Sequence, residues 1–146
     1  MRTISFVISE KPISQKRHRN TQDHYYNPQE KEKEKLKIVV NSKIQLKEHL
    51  LCGPISLDIK FFIQLPKSNA SRRNKIDQHT QRPDIDNLLK FILDVMSGLV
   101  YADDAYIYKI LCSKHFSDFP RTEVIAKEDI PNDINPREIY EPSKKD

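Results

Sequence analysis

Pro83-Asp84-Ile85-Asp86-Asn87-Leu88-Leu89-Lys90-Phe91-Ile92-Leu93-Asp94-Val95-Met96-Ser97-Gly98 is the stretch on which the fold turns. Its apolar residues fall at Ile85, Leu88, Leu89, Ile92, Val95, Met96 and, one residue past the quoted stretch, Leu99, a helical stripe that faces a core. Pro83 fixes the chain just ahead of the first turn, and Gly98 suits the left-handed position that ends a helix. The spacing predicts a helix from about Ile85 to Ser97 with Asp84 and Asp86 at its head.

Upstream, Pro66 to Pro83 has no apolar periodicity and carries Lys67, Arg72, Arg73, Lys75 and Arg82 against the single acid Asp77, so it reads as a basic loop. Before it, Ile55, Leu57, Ile59, Phe61, Ile63 and Leu65 alternate as a long strand, started by Gly53-Pro54. Gln29 to Leu51 reads as a helix. Glu/Lys pairs from Glu30 to Lys35 form its solvated side, and Leu36, Val40, Ile44, Lys47 and Leu51 mark one rough face. Thr3 to Ser9 alternates as a strand through Ile4, Phe6 and Ile8, and the acid-free segment Lys11 to Arg19 that follows reads as a loop. Downstream, Leu99 to Lys114 resumes strand character around Asp103-Asp104, and Thr122 to Ala126 forms a last strand. The expectation is an α+β fold, a single domain with one mixed β-sheet and two main helices packed on it. That domain spans 1–127, and an acidic, proline-containing tail that becomes flexible spans 128–146. The order of strands in the sheet does not follow from the sequence.

A chain of 146 residues suffices for one core. With 37% hydrophobic and 32% charged residues, that core is compact and the surface heavily charged. No long apolar run or signal-like N-terminus occurs, so the chain reads as cytoplasmic, with no membrane partner. Cys52 and Cys112 sit singly in apolar surroundings and read as reduced, buried thiols. None of the five histidines is needed by the chemistry below. The net charge of +4 is uneven: residues 128–146 hold six acids and three bases, leaving the first 127 residues at +7. A basic domain points to a polyanionic partner.

An aspartate at a helix start can simply cap free N–H groups and suit the helix dipole. Geometry adds a second reading. A helix from Ile85 to Ser97 rises roughly 20 Å, and six extended residues after a reversal at Gly98 return roughly 20 Å. Asp103 and Asp104 can therefore lie beside Asp84 and Asp86. Up to four converging carboxylates repel unless a cation sits between them. Hard oxygen ligands select Mg2+, with Mn2+ as a substitute, and fit phosphodiester hydrolysis. Strand alternation turns only one of Asp103 and Asp104 inward without saying which. Lys90, one turn after Asp86, reaches the site's edge or forms an ion pair with Asp86 or Asp94.

Arg82-Pro83-Asp84-Ile85-Asp86-Asn87-Leu88-Leu89-Lys90, Asp94, Tyr101-Ala102-Asp103-Asp104-Ala105, Lys114 and, more weakly, Pro12-Ile13-Ser14-Gln15 together resemble the RusA-type Holliday-junction resolvases of bacteria and their phages. The resemblance implies a homodimer that resolves Holliday junctions, which are branched, four-way DNA, by paired nicks. It also implies magnesium bound by Asp84, Asp86 and Asp104, with Lys90 as an essential catalytic helper. A longer loop at Lys67 to Gln81, and Gln15-Lys16 where asparagines are common, bear on DNA sequence preference. For DNA contact the sequence offers Lys16, Arg17 and Arg19, then Arg72, Arg73 and Lys75, and Lys114. The alternative is a non-catalytic branched-DNA-binding protein of the same fold, but a pure binder gains nothing from carboxylates beside phosphates. A nucleotidyltransferase reading lacks a Gly-Ser turn before the aspartates.

Overall fold

The computed structural model describes residues 2–16, 19–21, 24–26, 29–44, 50–66 and 76–140. The chain runs β1 (Thr3–Ile8), β2 (Arg19–Thr21), β3 (His24–Tyr26), α1 (Glu30–Lys43), β4 (Ile55–Gln64) and α2 (Ile85–Met96). A 3-10 turn (Asp104–Tyr106), β5 (Ile107–Ser117), β6 (Arg121–Glu128) and α3 (Pro136–Tyr140) follow. Four strands form one mixed sheet in the order β1-β6-β4-β5, and β2 and β3 make a separate hairpin. This is the expected α+β fold.

Alternation explains which face of the sheet is covered. Ile4, Phe6 and Ile8 of β1, Ile55, Leu57, Ile59 and Phe61 of β4, and Val124 and Ala126 of β6 are buried together. The register puts Ile4 opposite Ala126 and Ile59 opposite Val124, so these side chains share one face. Helix α2 closes that face with Leu88, Phe91, Ile92, Val95 and Met96, and α1 adds Leu36 and Val40. β4 and β5 are parallel, which requires a crossover, and the segment carrying α2 supplies it. That crossover delivers the head of α2 to the site.

Three elements depart from the sequence expectations. Helix α1 stops at Lys43, short of Leu51, and Ile44 is extended at ψ 119°. The Ser42 hydroxyl bonds back to the Val39 carbonyl at 2.6 Å, a local competitor of the helix ladder. Leu51 is instead bridged, its N–H donating to Val100 O and its carbonyl accepting from Ala102 N–H. Second, Leu99 to Asp103 is not a strand. Leu99 and Val100 N–H turn back to the Met96 carbonyl, around Gly98 at φ 80°, so β5 begins only at Ile107. Third, the segment read as loop near Arg19 forms the β2–β3 hairpin, where Thr21, Tyr25 and Tyr26 are good strand formers.

The acidic C-terminal segment packs back as far as Tyr140. Glu128 is 2% exposed, and its carboxylate accepts from the Arg2 guanidinium at 2.7 Å and from Cys52 N–H at 2.9 Å. The Tyr106 hydroxyl donates to the Tyr140 carbonyl at 2.8 Å. Cys52 is buried and Cys112 half-buried, both as free thiols, and burial, with the charge of Asp58 adding, pushes the Cys112 thiol up to about 11. No described helix is long and apolar enough to cross a membrane.

Candidate active site

Asp84 occupies the N-cap of α2 with an extended backbone, yet its side chain makes no capping hydrogen bond. The capping role is therefore not what its carboxylate does, and the group stays open toward a cleft of about 770 Å³. The cleft is lined by Asp84, Asp86, Asn87, Lys90, Asp94 and Asp104 from α2 and the turn before β5, with Gln15 and Lys16 opposite. A second hollow of about 610 Å³, lined by Ser14, Arg82, Pro83, Asp84 and Asn87, extends it past the helix head. The Arg82–Pro83 peptide at that edge is cis.

Asp103 and Asp104 part ways. The Asp103 carboxylate accepts from Ala105 N–H at 3.0 Å and so caps the 3-10 turn, while Asp104 lines the cleft. Near it Tyr101 is fully buried, and its hydroxyl donates to the Leu93 carbonyl at 3.1 Å. Burial first, then the nearby charges of Asp104 and Asp94, push the Tyr101 hydroxyl far above its usual range. It remains an O–H donor at any working pH.

No three His, Cys, Asp or Glu side chains among the described residues form a ready-made metal cage. Of the up to four carboxylates expected to converge, Asp84, Asp86 and Asp104 line one open cleft, together with Asp94. Its donor chemistry still fits a hard cation, because the acidic groups offer only oxygen. Gln15 adds a buried Oε1 that accepts no hydrogen bond from the described residues. Magnesium suits such a cleft, since it keeps several waters and takes one or two carboxylates plus substrate phosphates.

The cations around the cleft are arranged unequally. Asp94 pairs with Lys33 at 2.9 Å, and Lys33 also lies 5.6 Å from the Phe91 ring centre. With Asp94 taken, Lys90 makes no ion pair among the described residues, and its exposed side chain lines the cleft. Lys16 is exposed on the opposite wall. Lys114 sits behind the helix head, its ammonium bonded to backbone carbonyls. Arg19 begins β2, and Arg17, Arg72, Arg73 and Lys75 lie outside the described residues.

Sequence reasoning missed Gln29. It is 1% exposed, its Oε1 accepts from Lys16 N–H at 2.6 Å, and its Nε2 donates to the Ser14 carbonyl at 2.7 Å. Gln15 N–H in turn donates to the Asn87 carbonyl at 2.9 Å. These bonds clamp the Ser14–Lys16 loop between the head of α1 and the first turn of α2 and so build the second wall of the cleft. A glutamine at the start of a charged run carries no signal of burial, and the pairing is legible only in three dimensions.

The family model described as endodeoxyribonuclease RusA matches residues 9–126, which contain every residue of this cleft. The chain is also similar to a protein named "Uncharacterized protein YqaN" from Bacillus subtilis (strain 168). The two are 29% identical over 139 residues, covering 88% of this chain and 98% of that protein.

Proposed function

The chain belongs to the RusA endodeoxyribonuclease family, and from that premise we propose that it resolves four-way DNA junctions by paired, magnesium-dependent nicks made by a homodimer. The observation that carries this reading is the presence of Asp84, Asp86 and Asp104 in one open cleft whose other wall bears Lys16. In it Asp84, Asp86 and Asp104 are the residues that would hold Mg2+, directly or through its waters, with Mn2+ as a substitute. When bound, the ion would supply an activated water and neutralise charge on the phosphate. Lys90, with its ammonium free of carboxylates among the described residues, orients the scissile phosphate. Lys16, Arg17, Arg19, Arg72, Arg73 and Lys75 contact the converging backbones of the junction by charge, which favours a branch point over linear duplex. In a homodimer two such clefts act on opposed strands.

The test is a synthetic four-way junction and a matched linear duplex, each incubated with the purified protein in Mg2+ and then in EDTA. Junction cleavage that EDTA abolishes is expected. Equal cutting of junction and duplex removes the structural selectivity, and tight junction binding without any cutting in Mg2+ or Mn2+ leaves the non-catalytic alternative.

Lys90→Ala separates the catalytic from the structural role of that lysine. Cleavage is expected to slow roughly 100-fold, the scale for losing one positioned charge or donor. Stability is expected to stay within about 0.5 kcal/mol, as for an exposed residue without packing duties. Denaturant melts beside single-turnover cleavage check this, and a destabilised variant with unchanged rate assigns Lys90 to the fold alone.

A further inference from the structure

We propose that Lys114 is a positioning residue for Asp84, acting on the reaction through the backbone that carries that carboxylate and not by contact with DNA phosphate. The inference rests on the proposed metal-dependent cleavage. Lys114 lies on β5, half-buried, opposite Phe61. Its Nζ donates to the Gln81 carbonyl at 2.9 Å and to the Pro83 carbonyl at 2.8 Å. The second of these carbonyls belongs to the peptide that joins Pro83 to Asp84, so the ammonium fixes the plane from which Asp84 departs.

The same strand grips the chain just upstream. Phe116 N–H donates to the Asp77 carbonyl at 2.7 Å, and His79 N–H donates to the Lys114 carbonyl at 3.1 Å. Residues 77–83 are thus laid along the open edge of β5 by backbone bonds and finished by the Lys114 side chain. From there the chain enters α2, where Leu88 N–H donates to the Asp84 carbonyl at 3.2 Å. Backbone on both sides of Asp84 is therefore anchored, while its carboxylate makes no capping bond. A compact ammonium with three donors can serve two carbonyls at once through charge-assisted bonds, which a neutral side chain does less strongly. The role differs from the phosphate contact that a lysine near a DNA-cleaving site suggests from sequence.

The experiment compares wild type, Lys114→Met, Lys114→Gln and Lys114→Arg. Three readouts are used: direct Mn2+ binding from the free-ion electron paramagnetic resonance signal, cleavage across a Mg2+ titration, and junction affinity in EDTA over a salt series. Lys114→Met is expected to weaken Mn2+ binding about 10- to 100-fold and to raise the Mg2+ needed for cleavage in parallel. Its junction affinity in EDTA and its salt slope are expected to match wild type. Lys114→Gln, which keeps donors without charge, is expected to lose less, and provides the comparison if Lys114→Met fails to fold. Lys114→Arg retains charge with the wrong shape for two adjacent carbonyls, so it is expected to bind the junction normally and Mn2+ weakly. Normal Mn2+ binding in the folded variants, with a salt slope lowered by about one, overturns the proposal and makes Lys114 a phosphate contact. A wild-type protein that neither binds Mn2+ nor cuts any DNA overturns the nuclease reading itself, which is a different result from variants that match an active wild type.

Discussion

Asp86→Asn is expected to lower junction cleavage roughly 1000-fold or more, the scale on which loss of one member of a catalytic set is felt, while junction binding stays the same or tightens. Asp86 lies in the first turn of α2 with its side chain exposed to the cleft. The substitution keeps size and hydrogen bonding but removes the charge that attracts a divalent cation. Removing that charge also relieves repulsion of phosphates, so affinity in EDTA does not fall. Asp84→Asn and Asp104→Asn are expected to behave alike. Asp103→Asn is expected to be mild, because the Asp103 oxygen serves Ala105 N–H and an amide oxygen can accept that bond equally well. Single-turnover cleavage and binding in parallel test the contrast, and an Asp86→Asn protein that cuts at the wild-type rate sinks the mechanism.

Period was the part of the architecture that could be read directly. Ile4, Phe6 and Ile8 in β1 and Ile55 to Phe61 in β4 bury the residues that their spacing singles out, and on α2 Leu88, Ile92, Val95 and Met96 do so. Ile85 at the helix head is exposed, Leu89 and, past the helix end, Leu99 are half-buried, and Phe91, outside the stripe, is buried. That information is local, carried by side chains two, three or four residues apart. The sheet order is a different kind of fact. β6 inserts between β1 and β4, and β5 pairs parallel to β4, because of contacts between residues far apart in sequence. The site divides along the same line. Asp84 and Asp86 could be placed at a helix head from Pro83 and the apolar stripe, and Asp103 and Asp104 could be set apart by alternation alone. Which of the two lines the cleft depends on Ala105 N–H engaging Asp103, which leaves Asp104 to the cleft. Gln29 and Lys114 had no such local mark. Their polar atoms meet backbone carbonyls and N–H groups from other elements, and polar residues that look solvated in a sequence acquire structural duties only when those elements meet.

Tyr101 carries the second large effect, because it joins the core to the site. Tyr101→Ala removes the largest fully buried side chain among the described residues, and a destabilisation of about 3–5 kcal/mol is expected from lost burial and the cavity left behind. Tyr101→Phe keeps the ring and isolates the hydroxyl. The Leu93 carbonyl is not orphaned by that change, since it also accepts from Ser97 N–H at 3.0 Å, so the cost is expected to be about 1 kcal/mol. Asp104, however, loses the hydroxyl dipole beside it, and cleavage is expected to fall about 10-fold. The fall should be the same across the pH range in which the wild type is active, because burial and the neighbouring acids keep the wild-type hydroxyl protonated throughout. Denaturant melts of both variants together with a pH–rate profile of Tyr101→Phe separate the two duties. A Tyr101→Phe protein that cuts as fast as wild type confines Tyr101 to the core and leaves Asp104 to be positioned by the 3-10 turn that it begins.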